Sequence, residues 1–268
     1  MKLFVFFNLV LFWFSASAFV PRGLLILGRT VENAGKGSYQ IELEVQFPNG
    51  QENLSLKETW QIDNENNLRL TVVGMKDWRD KVLFSELVNG GSKQTASGSS
   101  RITTEFLERY FHYRSVDNLA QSLIQMKIAP PALLTPKAIQ VKKPGDFQAE
   151  NFVRLARAGG VVNYAFGAAA EGEQPGLWIE QDAFVLRKLR LPTSVEMTAE
   201  RYAQFGRGLQ YPRARTVRWG TSSVQIQTLN VVAKNKEAIK PFKPENNLSL
   251  LAGQPAELLV TEFYQRFR

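Results

Sequence analysis

The chain has no cysteine and one histidine, and each scarcity removes chemistry. Without cysteine there can be no disulfide, thiolate nucleophile or thiolate metal site. Zinc would have to rely on His112 and carboxylates, a poor ligand set, so neither metal nor cofactor is expected. A Ser-His-Asp triad would also need His112, which stands between Phe111 and Tyr113, and no Gly-x-Ser-x-Gly elbow presents a serine. Gly35-Lys36-Gly37-Ser38 has a glycine where a phosphate loop needs its hydroxyl and leads into a strand rather than a helix. Glu58, Glu86 and Glu180 lie in strands and offer carboxylate pairs of the glycosidase kind, a pattern almost any chain of this length contains. The expectation is a protein that is not an enzyme.

Long apolar runs are also scarce. The one that stands out, Leu3 to Phe14, follows Lys2 and precedes Ala16-Ser17-Ala18, the small-x-small pattern that signal peptidase accepts. Interrupted by Asn8, it is shorter than the roughly 20 residues that span a bilayer. Residues 1–18 are therefore expected to be a signal peptide cleaved after Ala18, leaving 19–268 as a single exported, soluble domain. An exported chain without cysteine suits a bacterial periplasm, and the new N-terminus offers no cysteine for acylation. The formal charge is +8. Outside the cytoplasm that excess points away from nucleic acid and toward transient contact with anionic membrane surfaces; the alternative is that it only keeps the protein soluble.

What is present is alternation. Tyr39, Ile41, Leu43, Val45 and Phe47 share one strand face, with Gln40, Glu42, Glu44 and Gln46 on the other. Beyond Pro48-Asn49-Gly50, Leu54, Leu56, Trp60 and Ile62 repeat the pattern, and after Asp63 to Asn67 so do Leu68, Leu70 and Val72. Glu58 falls on the apolar face beside Trp60, where an unpaired charge is costly, so a neighbouring Arg or Lys, or a cavity mouth, is expected there. A strand is expected near Val82 to Val88, and a mobile loop through the Gly/Ser-rich stretch from Gly90 to Ser100. Further strands are expected over 151–158, 161–169, 177–180, 184–191, 195–205, 213–219 and 224–233.

Helical spacing marks three places. Phe106, Leu107, Tyr110 and Phe111 recur between Thr103 and Arg114, and Val116, Leu119, Ala120, Leu123 and Ile124 recur before Pro130-Pro131 ends the run. A last helix is expected after Pro255, with Leu258, Leu259, Glu262, Phe263, Arg266 and Phe267 giving it two-sided amphipathicity. The fold class is thus mainly β (α+β), with about ten antiparallel strands by the usual signals and a helical insert. A sheet with one apolar face must cover that face or use it. Helices packed loosely over it form a lid above a hollow; packed tightly, they complete an ordinary core.

Three stretches carry a family resemblance. Glu58 to Leu70, with Trp60 and the apolar-Arg-apolar triplet Leu68-Arg69-Leu70, resembles a strand-turn-strand of the LolA-like and LolB-like carriers of outer-membrane lipoproteins. Leu177-Trp178-Ile179-Glu180 with Phe184-Val185-Leu186-Arg187 is similar to a later hairpin of that family, and Tyr211 to Val217 followed by 224–230 and 233–235 to its closing strands. The family's basic residue and proline in the first turn are replaced here by Asp63-Asn64-Glu65, so its lid-locking contact from that turn does not transfer.

The resemblance implies an unclosed antiparallel β-barrel with a helical lid, acting as a periplasmic carrier or sensor. Its cargo would be an acylated lipoprotein or lipid, passed from an inner-membrane donor to an outer-membrane acceptor. Leu43, Val45, Trp60, Leu70, Val72, Phe84 and Trp178 would line the hollow. Phe106, Leu107, Tyr110, Leu119 and Leu123 would form the lid and refill the empty hollow, and Arg69, Arg187, Lys188 and Arg190 would meet head groups or a partner. The alternative is an interaction protein of the same fold with a filled core, binding a protein or polysaccharide.

Overall fold

The computed structural model describes residues 20–76, 78–79, 81–134, 152–167, 173–235 and 243–268. The expected signal peptide lies outside the described residues, as does most of the stretch from Pro130 to Pro144. Among the described residues thirteen strands form one antiparallel sheet in the order β6-β5-β4-β3-β2-β1-β13-β12-β11-β10-β9-β8-β7, and β6 and β7 are its two edges, not paired with each other, so the barrel is not closed there.

The first half is a meander of β1 (Ser38–Asn49), β2 (Glu52–Asn64), β3 (Asn67–Gly74), β4 (Val82–Asn89), β5 (Ser92–Thr95) and β6 (Gly98–Arg101). The second comprises β7 (Val153–Ala158), β8 (Val161–Gly167), β9 (Gly176–Glu180), β10 (Leu186–Arg190), β11 (Glu196–Gln204), β12 (Gln210–Trp219) and β13 (Ser222–Lys234). β13 closes onto β1, Tyr39 opposite Ala233 and Val45 opposite Ile226, so the two meanders meet at the middle of the sheet. Alternation sets the register: Tyr39, Ile41, Leu43, Val45 and Phe47 are at most 1% exposed on the inner face. Gly159 and Gly160 both have positive φ (59° and 79°), as the tight turn joining β7 to β8 requires.

Two expectations change. The stretch from Gly90 to Ser100 is not a loop but the β5–β6 hairpin, with Lys93 opposite Ser100 and Gln94 opposite Ser99; Gly and Ser supply its turns, and pairing to β4 orders it. The run from Thr103 to Arg114 is not a full helix but a 3₁₀ turn, Leu107–Phe111, entered through Phe106 with a non-helical ψ of 88°. Its closely spaced aromatics pack in different directions, onto Trp60 from Phe106 and onto Tyr211 from Phe111.

Three helices lie on the inner face. α1 (Gly23–Glu32), which no sequence signal marked, packs beside α2 (Val116–Gln125). Ser115 caps α2 by accepting from the Asn118 amide. α3 (Glu257–Phe267) buries Val260, Phe263, Tyr264 and Phe267, the i, i+3, i+4, i+7 stripe of an amphipathic helix. The segment before it runs along the free half of β4: Ser85 donates to Glu245 O (2.8 Å), and the Asn247 amide to Leu83 O (2.7 Å). Asn49, in the β1–β2 turn, then accepts from the Ala256 amide (2.9 Å), satisfying a donor that the start of a helix leaves free.

Candidate functional site

Six of the seven expected lining residues share the inner face: Leu43, Val45, Trp60, Leu70, Val72 and Phe84 are buried in one apolar cluster. Trp178 is a correction. Leu177 and Ile179 take the inward positions of β9, so Trp178 points outward with Ala165 and packs under Lys188, whose Nζ lies 5.2 Å from the ring centre. Size suggested core, but strand parity decided the face.

The expected lid residues Phe106, Leu107, Tyr110, Leu119 and Leu123 are all buried in the inner cluster. They do not cover it alone. Rings of α3 occupy the middle of the face: Phe263 meets Phe47 at 5.3 Å, Tyr264 meets Phe84 at 5.3 Å, and Phe267 meets Trp219 at 4.8 Å. Two cavities, of about 480 and 300 Å³, lie elsewhere and are polar. The larger is lined by Arg101, Thr103, Thr104, Arg109 and Gln121 among others. The smaller lies on the outer face over Trp178.

Buried charge lies between cover and sheet. Glu108 of the 3₁₀ turn accepts from Arg215 of β12 (2.7 Å) and from Tyr211 Oη (2.5 Å), and its Oε1 is 3.0 Å from His112 Nε2. Burial alone would raise the Glu108 carboxyl, but Arg215, then His112, holds it well below the usual carboxylate range. Burial pushes His112 down despite Glu108, so its imidazole is neutral at pH 7. Nearby, Arg268 Nε donates to Glu58 Oε1 (2.9 Å) and Trp60 Nε1 to Oε2 (3.0 Å). This is the arginine that Glu58's inward parity called for. Both guanidiniums keep nitrogens with no acceptor among the described residues; Arg215 lies over Phe111 and Tyr211, and Arg268 over Phe263 and Trp60, so aromatic faces replace part of the lost solvation.

The first turn also holds the cover, with different residues from those the resemblance suggested. Asn118 donates to Glu65 Oε1 (2.8 Å), Arg109 to Asn66 Oδ1 (3.1 Å), and Arg114 to Asp63 O.

This arrangement, an unclosed antiparallel sheet whose apolar face lies under helices, invites comparison with solved folds. A LolA superfamily protein from Nitrosomonas europaea is 10% identical with a TM-score of 0.48, over 81% of this chain and 96% of its own. An outer membrane lipoprotein-sorting protein domain from Vibrio parahaemolyticus is 11% identical (TM-score 0.44; 78% and 91% covered). A DUF1329 family protein from Desulfovibrio piger is 10% identical (TM-score 0.44; 79% and 92% covered). At such identities the likeness is one of fold and assigns no residue a role. No family model matches the sequence, and no curated protein does.

The expected head-group contacts lie on the outer face and are engaged. Arg187 pairs with Glu180, while Lys188 (2.8 Å) and Arg190 (3.0 Å) share Glu196. Arg69 sits between inward Leu68 and Leu70 and is also partnered. Glu180 is on the opposite face from Glu58 and Glu86, so these three carboxylates do not converge. Among the described residues no group of three or more His, Asp or Glu is placed to hold a metal. Ser38 after Gly37 begins β1, not a helix.

Sequence reasoning missed Glu108, Tyr211 and Arg268, and it missed that Arg215 is buried on the inner face. Parity held the signal for Arg215, which shares its inward side of β12 with Val217 and Trp219. Nothing local marked Arg268 as the partner of a residue 210 positions away.

Proposed function

We propose that the protein is a periplasmic carrier or sensor that takes acyl chains of lipoproteins or lipids onto its inner apolar face in exchange for its own covering elements. It would serve envelope lipoprotein or lipid trafficking between an inner-membrane donor and an outer-membrane acceptor. The supporting observation is that discrete buried charge pairs, Glu108–Arg215 and Glu58–Arg268, join cover to sheet. In a permanent core such pairs stabilise little compared with well-packed apolar residues; between two elements that separate and return they set one register. Taking about 14 methylenes out of water is worth roughly 11 kcal/mol, so affinity is easily obtained and release is the difficulty. A closed state that fills the face with Phe106, Phe263 and Phe267 competes with cargo and lowers net affinity.

The aromatic packing of α3 and the polar linings of both cavities favour a second reading, an envelope interaction protein with a permanently filled core. Mass spectrometry of lipid co-purifying with the exported protein, with titration of an uncharged dansyl-labelled C11 alkyl probe, separates the two. The carrier binds the probe, and Leu70→Glu or Leu123→Glu abolishes binding while circular dichroism stays native. A lipid-free protein that never binds the probe leaves the interaction module.

A further inference from the structure

We propose that the inner face selects amphiphiles whose apolar body ends in a positively charged amine, an aminolipid rather than an anionic or neutral lipid. The proposal rests on the acyl-binding reading and names its ligand class.

The chain displays this chemistry with its own residues. α3 lays an apolar body, Val260, Phe263 and Phe267, on the face, and Arg268 just beyond it ends in a cation on Glu58. The guanidinium carbon lies 4.7 Å from the Phe263 ring centre and 5.8 Å from that of Trp60, so the cation sits between rings as well as on a carboxylate. Trp60 Nε1 fixes the second oxygen of Glu58. Leu43 and Val72 flank Glu58 on the neighbouring strands. Glu58 is fully buried, and an ionised carboxylate in that position needs a counter-charge.

An acyl chain that displaces α3 also removes Arg268 from Glu58. The face then offers Glu58 and, one row along on β4, the buried Glu86, which is paired with Lys93 Nζ at 2.8 Å. When α3 alone is displaced and the Leu107–Phe111 turn stays in place, Arg215 remains engaged by Glu108. A carboxylate or phosphate head would meet the unpaired Glu58 carboxylate in a low-dielectric floor, and a neutral head would leave that carboxylate stranded. An ammonium head restores the pair that Arg268 made.

The test titrates the full chain, at physiological salt and pH 7.5 below each micelle concentration, with dodecylamine, dodecyl maltoside and dodecanoate. The formal charge of +8 attracts dodecanoate, so non-specific binding works against the expected order. Dodecylamine should bind at least tenfold tighter than dodecanoate. Glu58→Gln should reduce that ratio to about twofold while dodecyl maltoside affinity is retained. Because Glu58→Gln strands Arg268, a second variant keeps the test secure. Arg268→Gln removes the internal competitor and should raise dodecylamine affinity several-fold more than that of the other two, whereas mere loosening of α3 would raise all three alike. Chains that bind without preference for the amine, or with the same preference in Glu58→Gln, overturn the head-group selection and leave acyl binding standing. Failure of all three to bind overturns the acyl-binding reading and this proposal with it.

Discussion

Buried ionisable residues lie on the inner face in opposite electrostatic states. Glu108 has Arg215 and Tyr211 and stays ionised; His112 beside it stays neutral because burial outweighs its carboxylate neighbour. Glu86 is pushed up by burial, only partly offset by Lys93 and Arg268. The signs of their pH effects differ. His112 and Glu108 have depressed values in the fold, so their contributions are present above 6.5 and 4.5, respectively, and are lost as pH falls. The raised Glu86 contributes most below 4.5 and loses that contribution as pH rises through its elevated value. Glu86→Gln is therefore expected to be more stable than the wild type in urea at pH 8, with the advantage vanishing toward pH 4.5. An advantage that grew on acidification would contradict the assignment. Glu58 was legible as an oddity at this scale because strand parity placed a charge among Leu56, Trp60 and Val72. Its partner was not, because parity says nothing about what approaches from across the sheet.

At the scale of elements, β1 to β3 could be read directly, since each alternates over six or more residues and a half-buried strand enforces that pattern, whereas β4 is buried without alternation from Leu83 to Val88. A two-sided amphipathic helix after Pro255 was legible, but neither its buried side nor its destination was: Leu258 and Leu259 looked as apolar as Phe263 and Phe267, and the structure buries Val260, Phe263, Tyr264 and Phe267 while leaving Leu258 exposed. Its place comes from β4, where residues 245–247 pair with Leu83 and Ser85, and from the Asn49 cap. Phe263 contacts the rings of Phe47, Trp219, Tyr264 and Phe267, so Phe263→Ala is expected to cost about 3–5 kcal/mol, read as a lower urea midpoint. Leu258→Ala on the same helix, 83% exposed, should change the midpoint little. Equal effects would mean that α3 does not pack as described. The aromatic run from Phe106 to Phe111 shows where periodicity misleads: a 3₁₀ turn and a helix place residues three apart on one side alike, and the non-helical backbone at Phe106 and His112 confines the turn to Leu107–Phe111.

For the whole molecule, the export expected from the sequence would most constrain function, and it is testable alone: N-terminal sequencing of the protein from a bacterial periplasm should begin at Phe19. Retention of Met1 would remove the envelope setting on which the carrier reading depends. Composition and alternation by themselves determined a chain without thiol chemistry, a basic surface, a largely antiparallel sheet with one apolar face and an amphipathic final helix. These follow from local rules, in which each residue's neighbours along the chain determine its face and period. Only the tertiary structure decided that β13 closes onto β1, that Trp178 faces outward, that α3 joins the expected lid over the face, and that Arg268 answers Glu58. Those outcomes depend on which surfaces meet after the sheet has formed, and burying a charge selects its partner by proximity in space, where sequence spacing carries no information.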